Sequence, residues 1–511
     1  MKKALEVYIH IPFCVRKCAY CDFLSAPAPK EEQEQYYHAL LQEIREFSDR
    51  DSYEVQTVFF GGGTPSLLPA EWIARILEEL SRQFSFAVKA GRSSADSSNP
   101  DRMRAQKATL ASNPDRMRAR EATLACNPDR MRVQKITLAS NPDRMRAQEA
   151  TLACNYDRIC VPEITLECNP GTANPEKLAI WRDAGINRLS LGLQSADAGE
   201  LALLGRIHTW EDFLQTYEQA RKAGFSNINV DLMSALPGQT ADSWERTLRS
   251  VLALRPEHIS AYSLIIEEGT PFYERYHADD VRRARGDVPE LLPSEEEERL
   301  MYFRTQELLR EAGLYRYEIS NYALPGCECR HNIGYWTGVD YVGFGIGASS
   351  LLHHIRYRNT EEMVLYLRRY GVGAKSQGCA SIQGSASESR SGSLVSGSAT
   401  RGAPFSGISD IEYNLSPTNS FDPRLPVRTC EPLTQKDEIE EFMFLGLRLT
   451  AGVSEAEFER RFGRTVEEVY HPVLQKLIHL QLLQSENGAI RLTPRGLDLS
   501  NQVMAEFLLP G

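Results

Sequence analysis

The sequence lacks several features that would assign it to a membrane, a secretory route or nucleic acid. No apolar run reaches the about 18 residues that a spanning helix needs. The short apolar stretch near the N-terminus is broken by His10 and Pro12, so no secretory signal is predicted. The net charge of -11 argues against a chain that binds nucleic acid over its whole surface.

Cysteine is scarce and unevenly distributed. The 511 residues include 11 cysteines, an odd number, and Cys14, Cys18 and Cys21 fall within one short stretch. Such clustering indicates metal chemistry in a reducing compartment better than a disulfide framework. We therefore expect a cytoplasmic protein, and the length of the chain predicts two or three domains.

Short apolar or β-branched runs alternate with helix-like segments along much of the chain. The predicted strands are Leu5–Pro12, Thr57–Phe60, Glu163–Glu167, Arg188–Leu193, Ile228–Leu232 and Ile259–Ile266. The predicted helices are Glu31–Phe47, Pro69–Gln83, Pro175–Ala184, Trp210–Ala223, Thr240–Leu254 and Pro293–Glu311. Strand-then-helix units predict parallel strands joined by right-handed crossovers, in an open sheet or a barrel. Polar, glycine-containing stretches such as GGGTPS and ECNPGT follow the strands, at the end that carries chemistry in parallel barrels.

A repeat interrupts this pattern after Ser85. The motif NPDRMR begins at Asn99, Asn113, Asn127 and Asn141, and a degenerate copy begins at Asn155. The copies resemble the strand Glu163–Glu167 but hold alanine where that strand carries Glu167, at Ala111, Ala125, Ala139 and Ala153.

We interpret residues 87–160 as an expanded insertion that loops out while Glu163–Glu167 enters the sheet. In a competing register, an alanine-bearing copy would occupy the sheet and displace Glu167. An arginine-rich RNA-binding arm is a further interpretation. It is disfavoured because no aromatic residue that could stack on a base lies between Phe86 and Tyr156.

The C-terminal part of the chain begins with a second change in composition. Residues 373–425 are rich in serine and glycine, which predicts a flexible linker. Helices are expected after it at Asp437–Leu449 and Ser454–Phe462, followed by a helix, a hairpin with Asn487-Gly488 at its tip and a last helix. This pattern predicts a small winged-helix-like α+β domain at 426–511. The acidic stretch KDEIEEF favours a packing role over DNA binding.

The three clustered cysteines have the spacing C-x3-C-x2-C, with Tyr20 before the last of them. Thiolates bind soft metals, so an iron–sulfur cluster and zinc are both candidates. Structural zinc usually has four protein ligands, often in two separate pairs, and no partner pair stands out here. Three thiolates can instead hold three irons of a 4Fe–4S cluster and leave the fourth open to S-adenosylmethionine.

Eight stretches of the sequence carry a family resemblance: YIHIPFC, CAYCDF, FFGGGTPS, LECNPGT, LSLGLQS, LLGRIHT, NVDLMSALPGQT and HNIGYW. Through them the sequence resembles the radical-SAM superfamily and its HemN-like group, roughly over residues 1–86, 161–372 and 426–511. The resemblance implies an incomplete parallel (β/α)6 TIM-like barrel in the first two of these segments.

The resemblance also implies a set of site residues. Cys14, Cys18 and Cys21 would hold the 4Fe–4S cluster. The residues implied to contact S-adenosylmethionine are Tyr8, Tyr20, Gly62, Gly63, Thr64, Glu167, Gln194, Arg206 and Asp231. Glycines at 62 and 63 would let backbone groups approach the ligand closely. A plain strand-to-helix turn is the alternative, but three consecutive glycines exceed what such a turn needs.

Phe23 distinguishes two branches of this group. Oxygen-independent coproporphyrinogen III oxidases resemble C-x3-C-x2-C-x-C and carry a longer segment before this motif. Here Phe23 occupies the place of the fourth cysteine, and only thirteen residues precede Cys14. Both differences resemble the HemW-type haem chaperones. They imply a protein that binds haem and delivers it to haem-accepting apoproteins such as membrane-associated respiratory enzymes. The alternative is oxidative decarboxylation of porphyrinogen propionates, an activity that we do not expect here.

The stretch ECRHNIGYW, residues 328–336, is the expected haem-binding motif. If it is helical, His331 and Tyr335 lie one turn apart, as do Asn332 and Trp336. Imidazole and thiolate both serve as axial ligands of haem iron, so His331 and Cys329 are candidates. A core histidine packed beside buried aromatic residues is the competing interpretation.

Overall fold

The computed structural model describes residues 2–87, 162–371 and 427–509. The predicted repeats and the predicted serine- and glycine-rich linker lie outside the described residues. Among the described residues, no helix combines the length and the apolar character that crossing a bilayer requires.

The strands and helices have the following bounds. The strands are β1 (Lys3–Ile11), β2 (Tyr53–Gly62), β3 (Ser85–Phe86), β4 (Glu163–Cys168), β5 (Arg188–Gln194), β6 (Ile228–Ser234), β7 (His258–Ser263), β8 (Tyr315–Arg316), β9 (Asn321–Ala323), β10 (Tyr341–Phe344), β11 (Ser349–Leu352), β12 (Ile355–Asn359), β13 (Val427–Pro432), β14 (Val453–Ser454), β15 (Leu483–Glu486) and β16 (Ala489–Leu492). The helices are α1 (Lys30–Glu46), α2 (Ala70–Gln83), α3 (Pro175–Asp183), α4 (Ala198–Leu204), α5 (Trp210–Lys222), α6 (Ala241–Leu252), α7 (Pro271–Ala284), α8 (Glu295–Glu311), α9 (Arg330–Thr337), α10 (Met363–Tyr370), α11 (Gln435–Gly446), α12 (Glu455–Phe462), α13 (Val466–His479), α14 (Pro494–Asp498) and α15 (Ser500–Ala505).

The six predicted parallel strands form the centre of the main sheet. Strands β1, β2, β4, β5, β6 and β7 lie side by side in that order, all parallel. Strand β10 pairs in parallel with the free edge of β1, and β11, β12 and β13 continue antiparallel beyond it. Antiparallel β9 and β8 extend the other edge. The outermost described strands, β13 and β8, do not pair, so the predicted incomplete barrel is confirmed and is extended at both edges.

Strand β4 occupies the place predicted for it. Ser85 and Phe86 of β3 pair with Glu54 and Val55, and the next part of β2, from Thr57 to Phe60, pairs with β4. The described residues on either side of the repeats therefore pair at neighbouring positions along β2. Strand β4 also pairs with β5, and Glu167 lies near its carboxyl end.

The two faces of β1 show why the strands and helices pack as they do. Leu5, Val7 and Ile9 are completely buried in the core between the sheet and its helices. Side chains alternate between faces along a strand, so the intervening Glu6, Tyr8 and His10 point into the barrel. The barrel interior is consequently polar, while its outer layer is held by apolar burial.

Residues 433–509 form a second layer with its own core. Helices α11 to α15 surround a three-stranded sheet of order β14-β16-β15, as the predicted winged-helix-like domain requires. Asn487 and Gly488 both have positive φ at the hairpin tip, the geometry that favours this pair. Strand β13 lies in the segment predicted as the C-terminal domain but pairs with β12 in the main sheet.

Candidate functional site

A pocket lies at the carboxyl ends of the central strands. Its empty volume is about 990 Å³, part of which is open to solvent. The predicted site residues that line it are Cys14, Cys18, Tyr20, Cys21, Gly62, Gly63, Thr64, Glu167, Gln194, Arg206 and Asp231. Segments that are distant in sequence therefore converge on one cavity, at the end of the barrel where parallel β/α folds carry chemistry.

The cysteine loop is fixed to the barrel by backbone hydrogen bonds. The Cys14 N–H donates to the Ala26 carbonyl at 3.1 Å, which joins the two sides of the loop. Ala19 N–H donates to the carbonyl of Leu204, at the end of α4, at 3.0 Å. Cys14, Cys18 and Cys21 are free thiols with partly exposed side chains. The loop thus presents three thiols to the pocket on an anchored backbone.

This donor set fits a 4Fe–4S cluster. A single zinc ion needs ligands that converge on one point, and in the described ranges no three His, Cys, Asp or Glu side chains do so. A cluster is held through separate irons, so three thiols spread along one loop suit it. The cavity beside the thiols leaves room for a ligand on a fourth iron.

A chain of polar contacts joins two of the cysteines across the pocket. Arg206 Nη1 lies 3.7 Å from the Cys18 Sγ, and its Nη2 donates to the Asn169 Oδ1 at 2.7 Å. The Asn169 amide donates to the Thr64 Oγ1 at 2.9 Å, and that hydroxyl lies 3.5 Å from the Cys14 Sγ. The Arg206 guanidinium therefore faces the Cys18 sulfur and the Thr64 hydroxyl faces the Cys14 sulfur, with Asn169 linking the two donors. Both donors would stabilise thiolate ligands.

The glycine-rich turn after β2 packs against the cysteine loop. Gly62 has φ of 109°, a region that other residues rarely adopt. A Cβ on Gly63 would lie 2.7 Å from the Phe13 carbonyl oxygen, closer than real Cβ contacts. The Gly62 N–H donates to the Glu167 Oε2 at 3.2 Å. Glycine is thus needed here for two reasons: the turn packs closely against the cysteine loop, and its backbone faces the pocket.

Two half-buried carboxyl groups, those of Glu167 and Asp231, line the pocket. Burial, with a further contribution from Asp231, raises the pKa of Glu167 to about 8. Burial also raises the pKa of Asp231, which accepts hydrogen bonds from the Ser190 Oγ at 3.0 Å and the Asn229 Nδ2 at 2.7 Å. A cationic ligand would favour the ionised forms of both groups.

Tyr8 and Gln194 complete the predicted set. Tyr8 does not line the pocket, and its hydroxyl lies 3.2 Å from the His10 Nδ1. The His10 Nε2 in turn lies 2.9 Å from the Leu24 carbonyl in the cysteine loop. Gln194 reaches the pocket at positive φ, next to an irregularity in the pairing of β5 with β6. Such bulges redirect side chains near sites.

The structure places the predicted haem motif elsewhere. Residues 330–337 form α9, as predicted, but none of its side chains lines the pocket. His331 is 2% exposed, and its Nδ1 lies 2.7 Å from the Thr57 Oγ1. Cys329 is fully buried, with its Sγ 3.6 Å from the Glu163 Oε1. Both candidate ligands are therefore enclosed at the end of the barrel opposite the cysteine loop.

The residue pairs expected one turn apart on α9 are formed, but their side chains already pack against other groups of the protein. The rings of His331 and Tyr335 meet edge to face at 4.9 Å. Trp336 packs beneath the Arg448 guanidinium at 4.2 Å, and Arg448 belongs to the C-terminal part of the chain. Burial, with a contribution from Arg188, lowers the pKa of His331 to about 3, so its imidazole is neutral. The motif thus joins the barrel to the C-terminal helices.

Several residues of the pocket were not identified from the sequence, among them Asn169, Ser190 and Gly192. Asn169 lies in ECNPGT, a stretch recognised as polar and strand-terminal, and this was its only signal. Gly192 is required because a Cβ there would lie 2.8 Å from the Asn169 Oδ1.

Comparisons with known proteins agree with this geometry. The family model described as Radical SAM superfamily matches residues 8–117 and 120–251, and the HemN C-terminal domain matches residues 433–499. The chain is 32% identical to the "Heme chaperone HemW" of Haemophilus influenzae, over 71% of this chain and 76% of the relative. It is 31% identical to that of Escherichia coli (67% and 69%), and 29% identical to that of Bacillus subtilis (98% and 99%).

Among solved structures, the coproporphyrinogen III oxidase HemN from Escherichia coli superposes with a TM-score of 0.64 at 19% identity. The match covers 99% of this chain and 90% of the oxidase. At this identity the match shows a shared fold, including the open barrel and the C-terminal domain.

Proposed function

The chain belongs to the HemW family of haem chaperones within the HemN-like group of the radical SAM superfamily, and we propose that it delivers haem to haem-requiring apoproteins. Its ligand is haem, as the shared name of these relatives indicates. Membrane-associated respiratory enzymes are the proposed recipients, and the cytoplasm, where thiols stay reduced, is the proposed compartment.

The superfamily implies a 4Fe–4S cluster and S-adenosylmethionine, and the pocket fits both. Cys14, Cys18 and Cys21 would hold the cluster, and the remaining pocket would hold S-adenosylmethionine. Once bound and reduced by an external electron donor, the cluster would supply the electron for cleavage of a carbon–sulfur bond of S-adenosylmethionine. The contribution of this chain is to position the ligand: Glu167 and Asp231 would attract its positive groups, and Arg206 would stabilise thiolate charge.

Phe23 is the observation that favours a chaperone over an oxidase. Its side chain is 66% exposed at the edge of the pocket, where the related oxidases would carry a fourth cysteine. A phenyl ring can neither ligate a metal nor transfer a proton, whereas it offers apolar surface to a flat macrocycle or a partner. Coproporphyrinogen oxidation is the second candidate, because the pocket is otherwise complete and the fold is that of HemN.

We place the haem site at the motif on α9, with His331 or Cys329 as axial ligand. The support is chemical: both groups are usual haem ligands, and both lie within three residues on one short element. Asn332, Tyr335 and Trp336 would contact the macrocycle or hold the helix. Because both ligands are buried, this assignment requires α9 to move.

One experiment separates the two candidate functions. Protein reconstituted with iron and sulfide without oxygen is titrated with haem, followed by absorption, and is incubated in parallel with coproporphyrinogen, S-adenosylmethionine and a reductant. A chaperone binds haem stoichiometrically and releases no carbon dioxide from the porphyrinogen. Decarboxylation of the porphyrinogen without haem binding would refute the proposal.

A further inference from the structure

Helix α9 is seated on the barrel by a carboxylate at its N-terminus. Glu163, the first residue of β4, accepts the backbone N–H groups of Arg330 at 3.2 Å and His331 at 3.3 Å. Carboxylates at helix N-termini are favourable because the first N–H groups have no partner within the helix. The helix is therefore attached to the strand that carries Glu167 at its other end.

The seat fits closely but leaves polar atoms unpaired. A Cβ on Gly334 would lie 1.8 Å from the Glu6 Oε1, so a larger residue there would force either the Glu6 carboxyl group or α9 to shift. The Glu6 Oε2, the His331 Nε2 and the Trp336 Nε1 are buried without a hydrogen-bond partner. Unpaired buried polar groups disfavour the state that buries them. A ligand that binds these polar groups could therefore draw α9 away from its seat.

His331 is suited to iron only when it is unseated. Its Nδ1 is engaged by Thr57 and its Nε2 is unpaired, so the ring has a nitrogen available for coordination. At 2% exposure, however, the ring has no open face for a macrocycle. Haem ligation by His331 therefore selects a conformation in which α9 has left its seat.

A stack of rings connects the seat to the pocket. The His331 ring lies 5.1 Å from that of Phe59 at an interplanar angle of 22°, and Phe59 lies 6.3 Å from Tyr8 at 22°. The Tyr8 hydroxyl contacts His10, which holds the cysteine loop through the Leu24 carbonyl. Removing His331 from this stack takes away packing that supports Tyr8 and, through His10, the cysteine loop.

We propose that α9 is a two-position element through which haem and S-adenosylmethionine oppose each other's binding. The seated helix supports the S-adenosylmethionine pocket, and the unseated helix exposes His331 to haem. This inference rests on the proposed haem-binding function. Because coupling between two binding sites is reciprocal, each ligand lowers the affinity for the other by the same factor.

The test is the affinity of the oxygen-free, cluster-loaded protein for S-adenosylmethionine, measured by equilibrium dialysis with and without saturating haem. We expect binding to weaken about fivefold or more with haem present. The haem affinity, measured with saturating S-adenosylmethionine, is expected to weaken by the same factor. An unchanged or tighter affinity for S-adenosylmethionine in haem-loaded protein would overturn the inference and leave the chaperone function intact. Absence of haem binding would instead refute the function itself.

Two variants and one matched control test the ring stack and the seat of α9. Phe59→Leu removes a ring from the stack and is expected to reduce the coupling factor, whereas Phe84→Leu makes the same change in the core beside Phe47 and Phe344 and should preserve it. Gly334→Ala should unseat α9, raise haem affinity and lower S-adenosylmethionine affinity without haem. Equal coupling in the Phe59 and Phe84 variants would contradict the stack as the route.

Discussion

Glu163 and Glu167 lie on the same face of β4, four residues apart, and their carboxyl groups contact two different sites. Glu163 accepts the first N–H groups of α9, and Glu167 accepts the Gly62 N–H in the pocket. Four residues of strand span about 13 Å. One strand therefore connects the proposed haem motif with the proposed S-adenosylmethionine site, and it is the strand that follows the repeats.

Replacing Glu163 with alanine should loosen α9. Two helical N–H groups and the Cys329 thiol lose their acceptor, at a cost of about 1–3 kcal/mol in the free energy of unfolding. Hydrogen exchange measured by mass spectrometry should become faster in residues 328–337. The control is Glu163→Gln, which keeps an acceptor oxygen. Equal exchange in wild type and Glu163→Ala would show that this carboxylate does not hold the helix.

Each of the three loop cysteines should be required for the cluster. Cys14→Ala, Cys18→Ala and Cys21→Ala should each lose most of the iron and acid-labile sulfide bound after anaerobic reconstitution, because three thiolates are the minimum for an open-iron cluster. Cys168→Ala is the matched control, since this buried thiol also lines the pocket but is not a proposed ligand. Full iron content in any of the three loop variants would contradict the ligand assignment.

Binding of S-adenosylmethionine should release protons near neutral pH. The pKa of Glu167 is raised to about 8, so the carboxyl group is largely protonated below that pH in the free protein. A cationic ligand favours the carboxylate, and the affinity should therefore rise as pH increases toward about 8. Calorimetric titration at pH 7 in buffers of different ionisation enthalpy measures the released protons. Glu167→Gln should abolish this release; the same release in the variant would assign it to another group.

Arg206→Lys should separate charge from geometry. Lysine keeps the positive charge but cannot contact Cys18, Asn169 and the Gly192 carbonyl together, as the guanidinium does. We expect S-adenosylmethionine affinity to fall about tenfold, equivalent to about 1.4 kcal/mol, while iron content is retained. Arg16→Lys, at an exposed residue that contacts the Gly205 carbonyl, is the control. Unchanged affinity in Arg206→Lys would show that its charge alone suffices.

Deleting residues 99–155 should preserve cofactor binding. The strand that pairs with β2 and β5 is Glu163–Cys168, which the deletion leaves intact. The measurement compares the iron content and the S-adenosylmethionine affinity of the shortened chain with those of the full chain. Loss of either would mean that the repeats contribute to the barrel.

The sequence predicted features that depend on local periodicity. All six central strands and the helices α1, α2, α3, α5, α6 and α8 were predicted within a few residues, because apolar alternation and helix caps are encoded locally. The short strands β8 and β9, of two and three residues, show no alternation and were missed. The helix α7 was also missed, because its charged segment HADDVRRA gives little apolar periodicity.

The candidate site was also only partly predictable from the sequence. Motif spacing identified the three loop cysteines, the family resemblance supplied the other predicted pocket residues, and Asn169, Ser190 and Gly192 were missed. The position of His331 was not predictable, since helical spacing gives its neighbours on α9 but not what covers them. Its burial depends on Glu6, Thr57 and Glu163, which approach from three strands distant in the sequence. The role of Asn169 likewise depends on Arg206, 37 residues away.

Transfer of haem to an acceptor protein is the decisive test of the proposed chaperone function. Cluster-loaded protein carrying haem is mixed without oxygen with a haem-free respiratory cytochrome, and the two proteins are separated and assayed by absorption. If the protein is a haem chaperone, haem bound to it reaches the cytochrome faster than free haem added at the same concentration. The His331→Ala, Cys329→Ala double variant is expected to transfer less haem. Haem that stays on the protein, or transfers no faster than free haem, would contradict it.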